Sequence, residues 1–209
     1  MQFRLTYEGQ LLGASRENSR AAHKHEIRSK LHPQLKRLWG TSAWLSQLGG
    51  YRFPNYAAAV SGHTLKNSNW AKERTYPEVV AANYQSHGRH WLPLVGEDMN
   101  LTCGLDILFL RPGSRGNLLN VGDIDGRLKT LFDALAIPTS GAGLPEPEAN
   151  QPVYVLLSDD RLISNVAVET DELLEPTSVA PERHDARLII TVNVKPMRAN
   201  WFTLGFSAL

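Results

Sequence analysis

The chain predicts an α/β or α+β domain, a single mixed β-sheet with flanking helices. Three observations lead there. Apolar residues alternate with a period of two over Leu101–Phe109 and Arg187–Lys195. They recur at helical spacing over 21–39 and 124–135. The order along the chain is strand, helices, strand, helix, strands, which suits helices packed on one sheet.

The elements follow in order. Phe3, Leu5 and Tyr7 alternate and predict an opening strand. From Ala21 to Trp39, Ile27, Leu31, Leu35, Leu38 and Trp39 mark one face of a helix. Pro33 either kinks that helix or starts a second one, and Gly40 is a stop signal. Residues 41–90 hold Trp44 and Trp70 among many Gly, Asn, Ser and Tyr, with little period. They extend to an inserted or accessory lobe spanning 41–100. Leu101, Cys103, Leu105, Ile107 and Phe109 form a strand that ends at Arg111-Pro112-Gly113. Ile124, Leu128, Leu131, Phe132 and Leu135 form a helix that stops at Ile137-Pro138. Residues 138–152, rich in Pro, Gly and Glu, read as a mobile loop. Val153–Leu157 is a short buried strand, and Leu162–Glu169 and Arg187–Lys195 are further strands.

Length and composition fit a single domain over 1–209, with 42% hydrophobic and 21% charged residues. The one cysteine, Cys103, excludes an internal disulfide and suits a reducing compartment. No apolar run reaches the ~18–20 residues of a membrane span. The opening residues lack the shape of a signal peptide, so the expectation is a soluble cytoplasmic protein. The net charge of +1 conceals an asymmetry. Residues 1–100 carry 13 Lys and Arg against 7 Asp and Glu, whereas 101–209 carry 9 against 14. A basic half suits a phosphate backbone and an acidic half suits cations, although the halves also neutralise each other in a fold.

The chemistry concentrates in Gly122-Asp123-Ile124-Asp125-Gly126-Arg127-Leu128-Lys129 and in Ser158-Asp159-Asp160. Asp123 falls at a helix N-cap and Asp125 in the first turn, where acids also serve helix stability alone. Lys129 is four residues beyond Asp125, on the same helical face. Asp159 and Asp160 close the strand Val153–Leu157. Converging carboxylates imply a bound cation, because without one they repel each other. Mg²⁺ takes a few carboxylates and keeps several waters. It acidifies water and polarises a phosphate, while a lysine supplies a point charge to phosphoryl oxygens. Asp106 either joins this group or pairs on the sheet face.

The pattern Gly122-Asp123-Ile124-Asp125-x-x-x-Lys129-x-x-x-Asp133-Ala134-Leu135, with Asp159-Asp160 after an apolar strand, resembles RusA-type Holliday-junction resolvases. The resemblance covers residues 101–195. It implies a small, dimeric, Mg²⁺-dependent endodeoxyribonuclease (Mn²⁺ being an alternative ion) of DNA recombination and repair, often encoded by phages or prophages. It also implies catalytic roles for Asp123, Asp125, Asp160 and Lys129, with metal ligation by Asp123, Asp125, Asp159 and Asp160. Gly126 stands where the family usually has Asn, and the spacer before Asp159 is longer.

Branched or structured DNA is the expected partner, with RNA as an alternative. Lys24, Arg28, Lys30, Lys36, Arg37 and Arg127 are the candidate phosphate contacts. Trp39, Trp44 and Tyr51 suit either base stacking or packing. His23-Lys24-His25 and His87-Gly88-Arg89-His90 lack a zinc spacing. A second class of function stays open: a non-catalytic nucleic-acid-binding or regulatory protein, with a protein partner on 41–100. A third reading is a phosphatase or nucleotide hydrolase with a similar acidic site.

Overall fold

The computed structural model describes residues 1–14, 20–50, 75–112, 124–145, 151–175, 184–198, 203, 205 and 206. Its elements are β1 (Gln2–Gln10), α1 (Ala21–Thr41), α2 (Ala43–Gly50), α3 (Tyr76–Asn83), β2 (Gln85–Ser86), β3 (Arg89–Val95), β4 (Leu101–Arg111), α4 (Ile124–Leu135), β5 (Val153–Leu157), β6 (Ile163–Glu172) and β7 (Asp185–Pro196). A short 3₁₀ turn, Asp160–Leu162, joins β5 to β6. The class is α+β. Among the described residues no helix is long and apolar enough to cross a membrane.

The strands form two mixed sheets, where the sequence suggested one. The larger has the order β1-β7-β4-β6 and the smaller β2-β3-β5. The separation has a simple cause. Both edges of β4 are taken, by β7 antiparallel and by β6 parallel. β3 and β5 therefore pair with each other, in parallel, with Trp91 opposite Val153 and Val95 opposite Leu157. Pro93 is tolerated in β3 because β2 reaches only Arg89 and His90, so no strand needs an amide proton from it on that side. At the β2–β3 hairpin tip His87 and Gly88 both have positive φ (53° and 70°), as a tight two-residue hairpin demands.

One face of the larger sheet carries the core. Leu5 and Tyr7, Leu188, Ile190, Val192 and Val194, and Leu101, Cys103, Leu105, Ile107 and Phe109 are all buried. Against them pack Ile27, Leu31 and Leu35 of α1, and Leu131, Ala134 and Leu135 of α4. α1 is a single helix with Pro33 inside it. Pro33 and Ser29, whose carbonyl its missing N–H leaves, are both exposed, so the break in the ladder lies on the solvent side of the helix. Residues 76–100, grouped by sequence with a lobe, belong to the core: Tyr76, Val80, Trp91, Leu92, Leu94 and Val95 are buried. Residues 51–74 of that expected lobe lie outside the described residues.

The outer edge of β1 is closed by α1. The Gln34 amide accepts from Thr6 N (2.9 Å) and donates to Thr6 O (2.7 Å), and Lys30 Nζ donates to Glu8 O (3.0 Å).

Candidate functional site

A cleft of about 160 Å³ opens between α1, the C-terminal end of α4 and the turn after β5. Lys24, Arg28, Asp133, Ser158, Asp159 and Asp160 line it, together with uncharged residues of 136–144. Its position follows from pairing. Ala136 bridges Leu157 in parallel, and Ile137 N donates to Leu157 O at 3.1 Å. The end of α4 and the end of β5 thus emerge side by side, and the Asp159-Asp160 turn faces Asp133.

Each polar group has a definite setting. Lys24 Nζ lies 2.7 Å from Asp133 Oδ2, both partly buried. Arg28 is only 3% exposed. Its guanidinium donates to Ala136 O (3.2 and 3.0 Å) and Asp133 O (2.9 Å), closing the last carbonyls of α4 at the negative end of the helix dipole. It also lies 5.8 Å from the centre of the Trp91 ring. Burial pulls its pKa down to about 10, opposed by Asp133, so it stays charged at neutral pH. Asp159 caps the 3₁₀ turn, accepting from Arg161 N and Nε at 2.9 Å and from Nη2 at 3.0 Å. The Arg161 hydrogen bonds hold its carboxyl below the usual value, outweighing a small desolvation effect.

The proposed catalytic residues divide. Asp160 and Asp159 are in the cleft. Asp125 and Lys129 are exposed on α4 and do not line it. Asp125 precedes Asp133 by two turns, about 12 Å of helix rise. Lys129 precedes Asp133 by one turn, about 6 Å of helix rise; the first turn of α4 lies over the exit end of β4, where Arg127 stands 5.9 Å from the Phe109 ring and Nη2 meets His184 Nδ1 at 3.1 Å. Asp123 lies outside the described residues. Among the described residues no three His, Cys, Asp or Glu side chains close into a metal-ligand set. Asp106 points from the other face of the sheet and accepts from Asn193 Nδ2 at 3.0 Å.

The phosphate-contact candidates also divide. Lys36 and Arg37 are exposed on α1. Lys30 is half-exposed and bonded to Glu26 and Glu8 O. Lys24 is committed to Asp133. Arg28 and Arg127, each 3% exposed, are packing residues, a correction to their expected surface role. Trp39 is buried and stacks on Tyr76 at 6.2 Å, and Trp44 meets Phe206 edge-on at 6.4 Å, so both pack within the protein. Tyr51 lies outside the described residues. His23 accepts from Leu12 N at 3.3 Å, and His90 contacts Ala81 O, both local structural roles.

The sequence singled out neither Arg28 as a helix cap nor the Lys24–Asp133 pair. The signal for Arg28 was present: positions 24, 28, 31 and 35 share one helical stripe with Leu31 and Leu35, so Arg28 had to face inward. No protein-family model, curated protein or solved structure matches the chain.

Proposed function

We propose that the chain is a Mg²⁺-dependent, cytoplasmic endonuclease that hydrolyses phosphodiester bonds in branched or structured DNA. The observation that supports it is the cleft, which gathers Asp133, Asp159 and Asp160 with Lys24 around the end of β5. Mg²⁺ needs only one or two carboxylates when water and phosphate complete its shell. The donors fit that requirement. Asp133 is paired with Lys24 and Asp159 with Arg161, which leaves Asp160, among the described residues, as the cleft carboxylate without a basic side chain bonded to it, and Asp159 adds an oxygen where Arg161 yields it. When bound, the ion supplies an acidified water and neutralises developing phosphoryl charge.

The chain's own groups have separate tasks. Lys24 balances Asp133 and sets the charge of the cleft wall. Arg28 fixes the end of α4, and therefore the position of Asp133 relative to the acidic turn. Lys36 and Arg37 offer charge to a phosphate backbone without reading bases. A cleavage panel of four-way junction, flap, duplex, single strand and RNA, each with Mg²⁺, Mn²⁺ or EDTA, tests this reading. Metal-dependent cutting of a branched DNA supports it. No cutting of any substrate refutes it.

That neither Asp125 nor Lys129 lines the cleft favours a second reading: a non-catalytic nucleic-acid-binding or regulatory protein on this fold. That reading expects salt-sensitive DNA binding unaffected by EDTA.

A further inference from the structure

The cleft has two unlike walls. On one stands the turn Asp159-Asp160. On the other, Ala21, Lys24 and Arg28 fall at i, i+3 and i+7, one stripe along the first two turns of α1. Two helix ends meet there. α4 brings its C-terminal, negative end, and α1 brings its N-terminal, positive end. The positive end is not answered within α1 itself: the first turn holds no acidic residue, and the N-cap makes no side-chain hydrogen bond.

Arg28 is almost wholly buried, with Nε and Nη2 bonded to the carbonyls of Asp133 and Ala136. Its third nitrogen, Nη1, donates to no group among the described residues. Nor is Nη1 sealed from solvent, as the unbonded Nε atoms of Arg20 and Arg89 are. It therefore opens on the cleft that Arg28 lines, and presents two N–H donors and a charge to whatever enters.

The two walls do not neutralise each other. Asp133 is the carboxylate that acts on Arg28, while Arg161 and Asp160 are the charged groups that act on Asp159. Among the described residues no ion pair joins α1 to the acidic turn. A phosphoryl group fits between them. Its oxygens accept from Arg28 Nη1 beside the positive end of α1, and the acidic turn holds the cation that accompanies it. At about 160 Å³ the cleft is smaller than the ~300–1,000 Å³ pockets that enclose a whole organic ligand. It admits a phosphoryl group with its cation and leaves a nucleoside outside.

We infer that Arg28 Nη1 and the first turn of α1 form a phosphoryl-oxygen subsite on the wall facing Asp159-Asp160. Such a role is distinct from a surface phosphate contact, because the open nitrogen meets only what enters the cleft. Assignment of the subsite to a scissile phosphodiester rests on the nuclease reading. Binding of a phosphoryl anion stands without it.

Calorimetric titration of the full chain with inorganic phosphate, in EDTA, tests the subsite. Wild type should bind phosphate saturably, with Kd near about 1 mM. Arg28→Lys keeps a charge but loses Nη1, and should weaken binding about ten- to hundredfold, the scale of one hydrogen bond from a charged donor. Because Arg28 also holds the end of α4, a second variant leaves that contact intact. Ala21→Asp adds a carboxylate to the first turn of α1, where an acid suits the helix. Its Tm should be unchanged or higher, and its phosphate affinity should fall at least about tenfold by like-charge repulsion. No saturable binding by wild type, or wild-type affinity in either folded variant, overturns the subsite. Competition by a thymidine dinucleotide, with its one internal diester, assigns the subsite to a strand. Competition by thymidine monophosphate alone assigns it to terminal or free phosphates, and both results support the subsite. Phosphate binding by a wild type that cuts no DNA sinks the nuclease reading and leaves the subsite standing. Mg²⁺-dependent cutting without phosphate binding does the reverse.

Discussion

Replacing Arg28 with alanine should destabilise the protein by about 2–4 kcal/mol, because it leaves two carbonyls without their charged donor. The side chain is 3% exposed, and its guanidinium serves the carbonyls of Asp133 and Ala136. A hydrogen bond from a charged donor is worth roughly 1.5–3 kcal/mol, and a dry carbonyl left without a donor costs roughly 1–3 kcal/mol. A cation at a partly buried helix C-terminus adds up to about 2 kcal/mol. These contributions overlap, and the desolvation that lowers the Arg28 pKa to about 10 is relieved on removal, so they do not sum. Arg28→Lys keeps the charge but loses the fork that spans two carbonyls, and should recover about half the loss. Urea denaturation followed by circular dichroism measures both. A loss below about 1 kcal/mol for Arg28→Ala would refute the capping role. It would return Arg28 to the surface set that its sequence position suggested.

Four further outcomes follow from named contacts. Gln34→Ala should cost about 1–2 kcal/mol and remove hydrogen-exchange protection at the Thr6 amide; retained protection would show that β1 needs no edge closure. Burial lowers the pKa of His23, with Glu26 opposing and Arg20 and Lys30 assisting. On acidification the unfolded chain therefore takes up this proton first, from pH ~6.5 downward. Stability should fall as pH drops from 7 towards 5, less steeply in His23→Gln, and parallel Tm curves for the two proteins would remove His23 from the account. Cys103 is fully buried and its thiol is pushed up to about 12 by desolvation, so thiol reagents should label it only on unfolding; rapid labelling of the native protein would contradict the core. Replacing Lys36 and Arg37 together should reduce the log–log salt slope of DNA binding by about two, and an unchanged slope would place the phosphate track elsewhere.

Local signals carried much of the fold. Alternation placed β4 and β7, and an unbroken apolar run placed β5, within a residue or two of their observed limits, and the spacing of Ile27, Leu31, Leu35 and Trp39 placed α1. α4 begins at Ile124, where the apolar spacing placed it. β3 escaped notice because Trp91-Leu92-Pro93-Leu94-Val95 is buried throughout, leaving no alternation, and its proline argues against a strand. Its partner β5 is some 60 residues away, a pairing that no local pattern encodes. The site was read from the same kind of local cue, and there the cue was insufficient. Asp125, Lys129 and Asp160 are the residue types of a metal centre, but their mutual distance depends on which end of α4 receives β5. The Ala136–Leu157 bridge decides that, and nothing near Asp160 in sequence announces it. Arg28 shows the converse, a misreading of charge where periodicity already held the answer.

We propose that the acidic turn after β5 is the working end of a metal-dependent nuclease. Single-turnover cleavage of a four-way junction by wild type and by Asp160→Asn, with Mg²⁺ and with EDTA, tests it most directly. Wild type should cut with Mg²⁺ alone. Asp160→Asn should lose at least about 10²-fold in rate, the scale for removing one transition-state-stabilising group. It should remain folded and be no less stable without metal, since a carboxylate repulsion is relieved. Cleavage by Asp160→Asn at the wild-type rate, or cleavage that persists in EDTA, would contradict the account.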